Sequence, residues 1–158
     1  LRYAKVLFNL DKENGADMEK RLGDFEFLEK LLMRNPDFLH LLKNPLIDLE
    51  EKRDLLKSAI KEGFDRIFYD FLFYVIAKSK LDFLEQIAFQ YRGLVDTYLG
   101  IWEVKVMTAE ELMPDAQKKM VESLEAIFHK KLKINNEIDP DLIGGVKLLM
   151  GNLMIDWS

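Results

Sequence analysis

The sequence predicts an α+β protein: an N-terminal six-helix bundle over residues 1–99, followed by a small mixed α/β domain over residues 100–158. Three observations carry this. Apolar residues recur at helical spacing through the first hundred positions, between recognisable start and stop signals. Beyond Gly100 the pattern changes to alternation. A chain of 158 residues that is 49% apolar and 32% charged suits one or two small domains with buried cores.

Taken in order, Arg2 to Lys12 has apolar residues on more than one face and reads as a helix. Asp17 is the expected cap of a second, in which Leu22, Phe25, Leu28 and Leu32 share a side. Asn35 with Pro36 starts a short third helix, and Asn44 with Pro45 ends it. Asp48 and Glu51 have capping-box spacing ahead of Leu55, Leu56, Ala59 and Ile60, with Gly63 as the left-handed stop. Arg66 to Ser79 makes the fifth helix. Asp82 with Glu85 forms a second capping box for a sixth that runs to Gly100. No low-complexity linker intervenes, so a short joint is expected near Tyr98 to Ile101.

After the joint, Trp102, Val104 and Val106 alternate with Glu103 and Lys105 as in a half-buried strand. Pro114 suits the first turn of a helix whose inward face is read as Ala116, Met120, Leu124, Ile127 and Phe128, with Lys130 and Lys131 at its C-terminal end. Leu132, Ile134 and Ile138 suggest a second strand. Val146 to Met150 and Leu153 to Trp157 flank Gly151 and Asn152, a pair suited to a tight hairpin.

Composition excludes several functions. The net charge is −5, with lysine and arginine spread along the chain, so no nucleic-acid footprint is present. There is no cysteine, which removes disulfides and thiolate metal sites. The longest apolar run, Phe71 to Ala77, falls far short of the roughly 20 residues of a membrane span. The chain opens at Leu1 without methionine or a signal-peptide pattern and stops abruptly at Ser158, so a few residues are expected to be missing from the start.

Chemistry-bearing constellations are scarce. His40 and His129, the two histidines, lie in different domains with no second ligand at metal spacing. Gly144 and Gly145 lack the remainder of a dinucleotide or phosphate loop and read as a hinge or tight turn. Asp139 and Asp141 surround Pro140 as turn residues, Asp156 has no evident acid partner, and Ser58, Ser79, Ser123 and Ser158 have no nucleophile elbow. No catalysis, metal or cofactor is expected.

The anomaly is the fifth helix, where Ile67 to Ala77 leaves scarcely any polar face. Such a helix is either central to its bundle or partly covered by a partner. Tyr69, Phe73 and Tyr74 are the first candidates for spare surface, since aromatics with polar tips suit interfaces. In the first helix Tyr3, Val6 and Leu10 share one side while Ala4, Leu7 and Phe8 lie nearer another. Side by side, the two helices would make a groove for an amphipathic partner helix.

Four separated motifs then resemble the delta subunit of rotary ATP synthases, whose mitochondrial relative is the oligomycin-sensitivity-conferring protein. They are the opening Arg2-Tyr3-Ala4-Lys5-Val6-Leu7-Phe8; Asn44-Pro45-Leu46-Ile47 with Glu51 and Lys52; Lys80-Leu81; and the closing signature Ile138-Asp139-Pro140-Asp141-Leu142-Ile143-Gly144-Gly145-Val146 through Gly151 and Ile155-Asp156-Trp157-Ser158, with Thr108-Ala109 fitting the end of the family's first strand. The resemblance covers nearly the whole chain. It departs at Trp157, where the family usually has glycine, and the family continues with a basic helix.

The resemblance implies a non-catalytic stator subunit of an F-type synthase, one copy per complex, at the cytoplasmic face of the bacterial cell membrane and attached only through the complex. The N-terminal domain would grip the N-terminal helix of an alpha subunit, and the C-terminal domain would meet the end of the b-subunit stalk. The implied groove maps onto Tyr3, Val6 and Leu10 of the first helix with Asp70, Tyr74 and Lys80 of the fifth. A generic helical adaptor for some other amphipathic segment is the alternative, and a small hydrolase a third reading with little support.

Overall fold

The computed structural model describes residues 2–60, 63–150 and 153–156. Among them, seven α-helices and a four-stranded mixed sheet make an α+β fold, as the periodicity predicts. The chain divides into two compact units, Leu1–Val95 and Asp96–Ser158.

The first unit holds α1 (Arg2–Glu13), α2 (Met18–Arg34), α3 (Pro36–Lys43), α4 (Leu49–Ala59), α5 (Arg66–Ala77) and most of α6 (Leu84–Leu99). Its core is aromatic at the centre: the Phe25 ring meets Phe68 edge-on at 5.0 Å and lies 5.5 Å from Tyr91. Asp17 caps α2 as expected, accepting from the amides of Glu19 and Lys20 at 3.0 and 3.1 Å. Gly100, at φ +68°, closes α6 as expected.

Four local expectations need correction. Asp48 sits at the N-cap of α4, but its side chain accepts no capping bond; this end is exposed, where solvent can take the free amides. Gly63 is not a left-handed stop. The helix ends at Ala59, because Ile60 is buried in the core and its carbonyl accepts the Tyr69 hydroxyl. Asp82 does not cap α6: a 3-10 turn, Leu81–Phe83, leads into it, and the Asp82 carboxylate pairs with Lys43 at 2.6 Å. Finally, α5 stops at Ala77 rather than Ser79. Ser79 takes φ +55°, its amide donates to the Ile76 carbonyl and that of Lys80 to the Val75 carbonyl, which is a Schellman closure with serine where glycine is usual.

The first unit is also held by a cluster with no signature in the sequence. Arg21, only 1% exposed, donates through Nε and one terminal nitrogen to the Asp11 carboxylate at 2.9 and 2.7 Å. That terminal nitrogen also reaches Asp65 at 2.8 Å, the other reaches Asp24 at 3.4 Å, and the guanidinium lies 5.0 Å from the Phe68 ring centre. The Tyr91 hydroxyl donates to Asp11 at 2.6 Å. Asp65 accepts the Phe68 amide at 2.9 Å as well, which makes it the cap of α5. Burial pushes the Asp65 carboxyl up in pKa, but hydrogen bonds from Arg21 and the Phe68 amide outweigh it and hold the group below the ordinary aspartate range. Asp24 goes the other way, raised by burial against the charges of Lys20 and Arg21. Burial, then the bond to Asp11, raises Tyr91.

In the second unit, β1 (Ile101–Thr108), α7 (Pro114–Phe128) and β2 (Lys131–Ile138) form a parallel βαβ unit. The strands β3 (Val146–Met150) and β4 (Leu153–Asp156) add an antiparallel hairpin, giving the order β2-β1-β3-β4. The hairpin is the one expected; the Gly151-Asn152 turn and Trp157 lie outside the described residues. Val104, Val106, Leu132, Leu148 and Met150 pack on Leu124 of α7.

Four inward assignments shift. Trp102, at the sheet's end, is 45% exposed, with Lys130 Nζ 5.6 Å from its ring centre. Ala116 and Ile127 face out, because the inward stripe of α7 runs through the buried Leu124 with Met120 and Phe128 half-buried on either side. Ile138 is exposed too. The inward place before it belongs to Asn136, whose amide nitrogen donates to the Val106 carbonyl at 3.0 Å and the Thr108 hydroxyl at 2.9 Å, while its oxygen accepts the Leu112 amide at 2.9 Å.

Arg21→Met is expected to lower the unfolding free energy in denaturant titration by about 3–5 kcal/mol, since it strands the Asp11 charge in the core. Ser79→Gly is expected to raise it by up to about 1 kcal/mol by relieving the left-handed backbone. Because Asp65 titrates lower folded than unfolded, its contribution is present above the unfolded aspartate pKa of about 4 and is lost as pH falls through the folded value. Asp65→Asn, which keeps a capping oxygen, should therefore differ from the parent most near neutrality, with the gap closing in acid-unfolding titrations.

Candidate functional site

Helices α1 and α5 lie against one another, and the spacing of apolar residues decides what each leaves uncovered. On α1, Ala4, Leu7 and Asp11 turn inward at i, i+3 and i+7. That rotation leaves Val6, 51% exposed, and Leu10 on the open side, with Tyr3 half-buried at the start. On α5, Phe68, Phe71, Leu72, Val75 and Ile76 are buried, while Asp70 and Tyr74, one turn apart, are exposed. The two helices meet where the Tyr3 and Tyr74 rings approach to 5.8 Å, tilted 47°.

An aromatic and aliphatic strip thus runs along the open side of α1 and onto α5. Tyr74 is half exposed, and Lys78, one turn on, holds its ammonium 5.7 Å from the Tyr74 ring centre. Lys78 was legible as an i, i+4 neighbour of Tyr74 but was not among the expected site residues. Asp70 faces Arg66 at 3.7 Å, a pair too exposed to contribute much stability. Lys80 lies past the Schellman turn, with Nζ 5.4 Å from the Phe83 ring centre.

Of the three aromatics expected to have spare surface, only Tyr74 is exposed. Tyr69 is half-buried with its hydroxyl on the Ile60 carbonyl, and Phe73 is half-buried with the Arg53 guanidinium 4.1 Å from its ring centre, so packing against α4 and the segment after it occupies both. The all-apolar look of α5 therefore reflects helices on more than one side, with a single face left open.

The remaining candidates are turn and surface residues. His40 and His129 are exposed, and His129 closes α7 at φ +53°. Among the described residues no group of three His, Asp or Glu side chains could hold a metal ion. Asp139 accepts the Asp141 amide at 3.0 Å and its own amide donates to the Thr108 carbonyl at 2.8 Å, a local turn network. Gly145 adopts φ +79°, which its lack of a side chain permits; Gly144 carries no such demand. Among the described residues no helix is long and apolar enough to cross a membrane.

The first unit has a firm core with an open aromatic and aliphatic strip on α1 and α5, and it is joined in sequence to a small mixed-sheet unit. Comparison with known proteins gives the family. The family model described as "ATP synthase delta (OSCP) subunit" matches residues 1–158. The ATP synthase subunit delta of Desulfotalea psychrophila is 30% identical over 158 residues, covering 99% of this chain and 87% of that one. Those of Moorella thermoacetica and Desulfovibrio desulfuricans are 32% and 33% identical at the same coverage. Among solved structures, a chain of the Toxoplasma gondii mitochondrial ATP synthase hexamer shares the fold, with a TM-score of 0.61 at 18% identity over 99% of this chain and 88% of that one. The chain belongs to the ATP synthase delta (OSCP) subunit family. It is accordingly a non-catalytic stator component of the peripheral stalk of an F-type ATP synthase.

Because Tyr74 is half exposed, Tyr74→Ala is expected to change the unfolding free energy by less than about 1 kcal/mol. Leu72→Ala on the buried face of the same helix is expected to cost about 2–5 kcal/mol. Chemical denaturation of the two variants checks the contrast.

Proposed function

We propose that the strip formed by Tyr3, Val6 and Leu10 of α1 with Asp70 and Tyr74 of α5, continued by Lys80, docks the N-terminal helix of an alpha subunit. In this reading residues 1–99 act as a six-helix bundle that grips the catalytic head, and residues 100–158 meet the end of the b-subunit stalk. One copy per complex, at the cytoplasmic face of the bacterial membrane and attached only through its partners, would hold the head against rotation. Gly144 and Gly145 would serve as the hinge or turn of the second domain.

The observation that carries this is the meeting of Tyr3 and Tyr74 at 5.8 Å on the open side of two helices whose other faces are buried. An amphipathic helix laid there covers apolar surface already ordered by the fold, so little side-chain freedom is lost on binding. Torque transmission asks for a tight interface rather than reactive groups.

Isothermal titration with a synthetic peptide of the alpha subunit's N-terminal helix from the same organism is the test. One-to-one binding with a negative heat-capacity change is expected, weakened by about 2 kcal/mol in Tyr74→Ala. An unchanged dissociation constant in a folded variant would remove Tyr74 from the site, and no binding by the folded parent would overturn the reading.

A further inference from the structure

A second cleft, sharing no residue with the strip, opens between α2 and α6 around a cavity of about 170 Å³. Its apolar part is built from Leu22 and Ala88, both half-buried, and from Phe89, which is 77% exposed. A phenylalanine left this open on the shoulder of a cleft is surface that folding has not used. The polar part is one-sided. Glu26, Glu29 and Glu85 line it against the single guanidinium of Arg92, which already donates to Glu26 at 3.2 Å. Burial first, and then the charges of Glu85 and Glu26, raise the Glu29 carboxyl in pKa, with Arg92 offsetting only part. The cleft thus carries negative charge that the fold leaves uncompensated.

From this charge and shape we propose that the α2/α6 cleft docks the cationic edge of an amphipathic helix from a partner protein, placing one lysine or arginine between Glu29 and Glu85 and apolar side chains on Phe89 and Ala88. Volume excludes a drug-sized ligand, since such sites run to roughly 300–1,000 Å³ and this one holds about one side chain. Charge excludes phosphate-bearing partners. Among the described residues the carboxylates do not converge into a metal-holding group. A lysine or arginine on an aliphatic helix face meets both halves of the cleft, the stem on Ala88 and Phe89 and the head on the carboxylates.

The test uses the whole chain and, as probe, an amphipathic leucine-lysine helical peptide about 18 residues or five turns long, with a leucine-glutamate peptide of the same pattern as control. Heteronuclear shift mapping is expected to show saturable binding centred on α2 and α6, weakened by salt and absent for the acidic control. Glu29→Gln with Glu85→Gln should weaken the dissociation constant roughly tenfold, and Phe89→Ala roughly fivefold. The thermal midpoint of the double glutamine variant should hold or rise, because like charges have been removed; a purely structural role for the two acids would lower it. Shifts confined to α1 and α5, no saturation by about 1 mM peptide, or less than about a twofold change in both variants would overturn the proposal.

Discussion

A guanidinium sealed inside an apolar unit must have its charge balanced and its donors satisfied, and the arrangement that does so for Arg21 constrains the rest of the first unit. Apolar contacts are non-directional and tolerate rotation of one helix against another. The forked bond to Asp11 does not. Asp11 shares its stripe on α1 with Ala4 and Leu7, so fixing its carboxylate fixes which side of α1 turns in and leaves Val6 and Leu10 out. Asp65 takes the same guanidinium with one oxygen and the Phe68 amide with the other, so the start of α5 is set by the same group. Tyr91 brings α6 to the cluster through Asp11. The open strip on α1 and α5 is therefore a consequence of one buried ion cluster, and its preorganisation has a structural cause.

Most of the architecture was legible because it rests on local rules. Helical periodicity, Asp17 as a cap, Pro36 and Pro114 at helix starts and alternation in β1 each depend on residues within a turn or a strand of one another, and each is realised. What sequence reading missed depends on distant partners. Asp48 and Asp82 both have capping-box spacing, yet one is left to solvent and the other is engaged by Lys43, which no local rule foresees. Arg21 and Asp65 lie 44 positions apart, and Asp11 and Tyr91 lie 80. The Asp65 cap is the exception, since its bond to the Phe68 amide spans only three residues; its second oxygen is held by the distant Arg21.

The candidate site was readable to a similar degree and for the same reason. Spacing sorts Tyr3, Val6 and Leu10 onto one side of α1 and Ala4, Leu7 and Phe8 nearer another, but it does not say which side packs inward; the buried Asp11 goes with Ala4 and Leu7. For α5 the spacing separated Asp70 and Tyr74 from the inward set but could not tell that the α4 side would occupy Tyr69 and Phe73. Lys80 follows from the resemblance alone; it lies past the Schellman turn with its ammonium over the Phe83 ring, and Lys78 lies beside Tyr74. In the second unit Trp102 and Ile138 lie near the ends of β1 and β2, beyond the residues that pack on Leu124 of α7, and so stay open however well they alternate.

The central claim, that the face left open by the buried cluster is the docking face, is tested most directly by amide hydrogen exchange on the whole chain with and without the alpha subunit's N-terminal peptide. Slowed exchange concentrated in α1 and α5, with the second unit unchanged, is the predicted result. Protection centred on any other helices, with α1 and α5 exchanging as in the free chain, would contradict it.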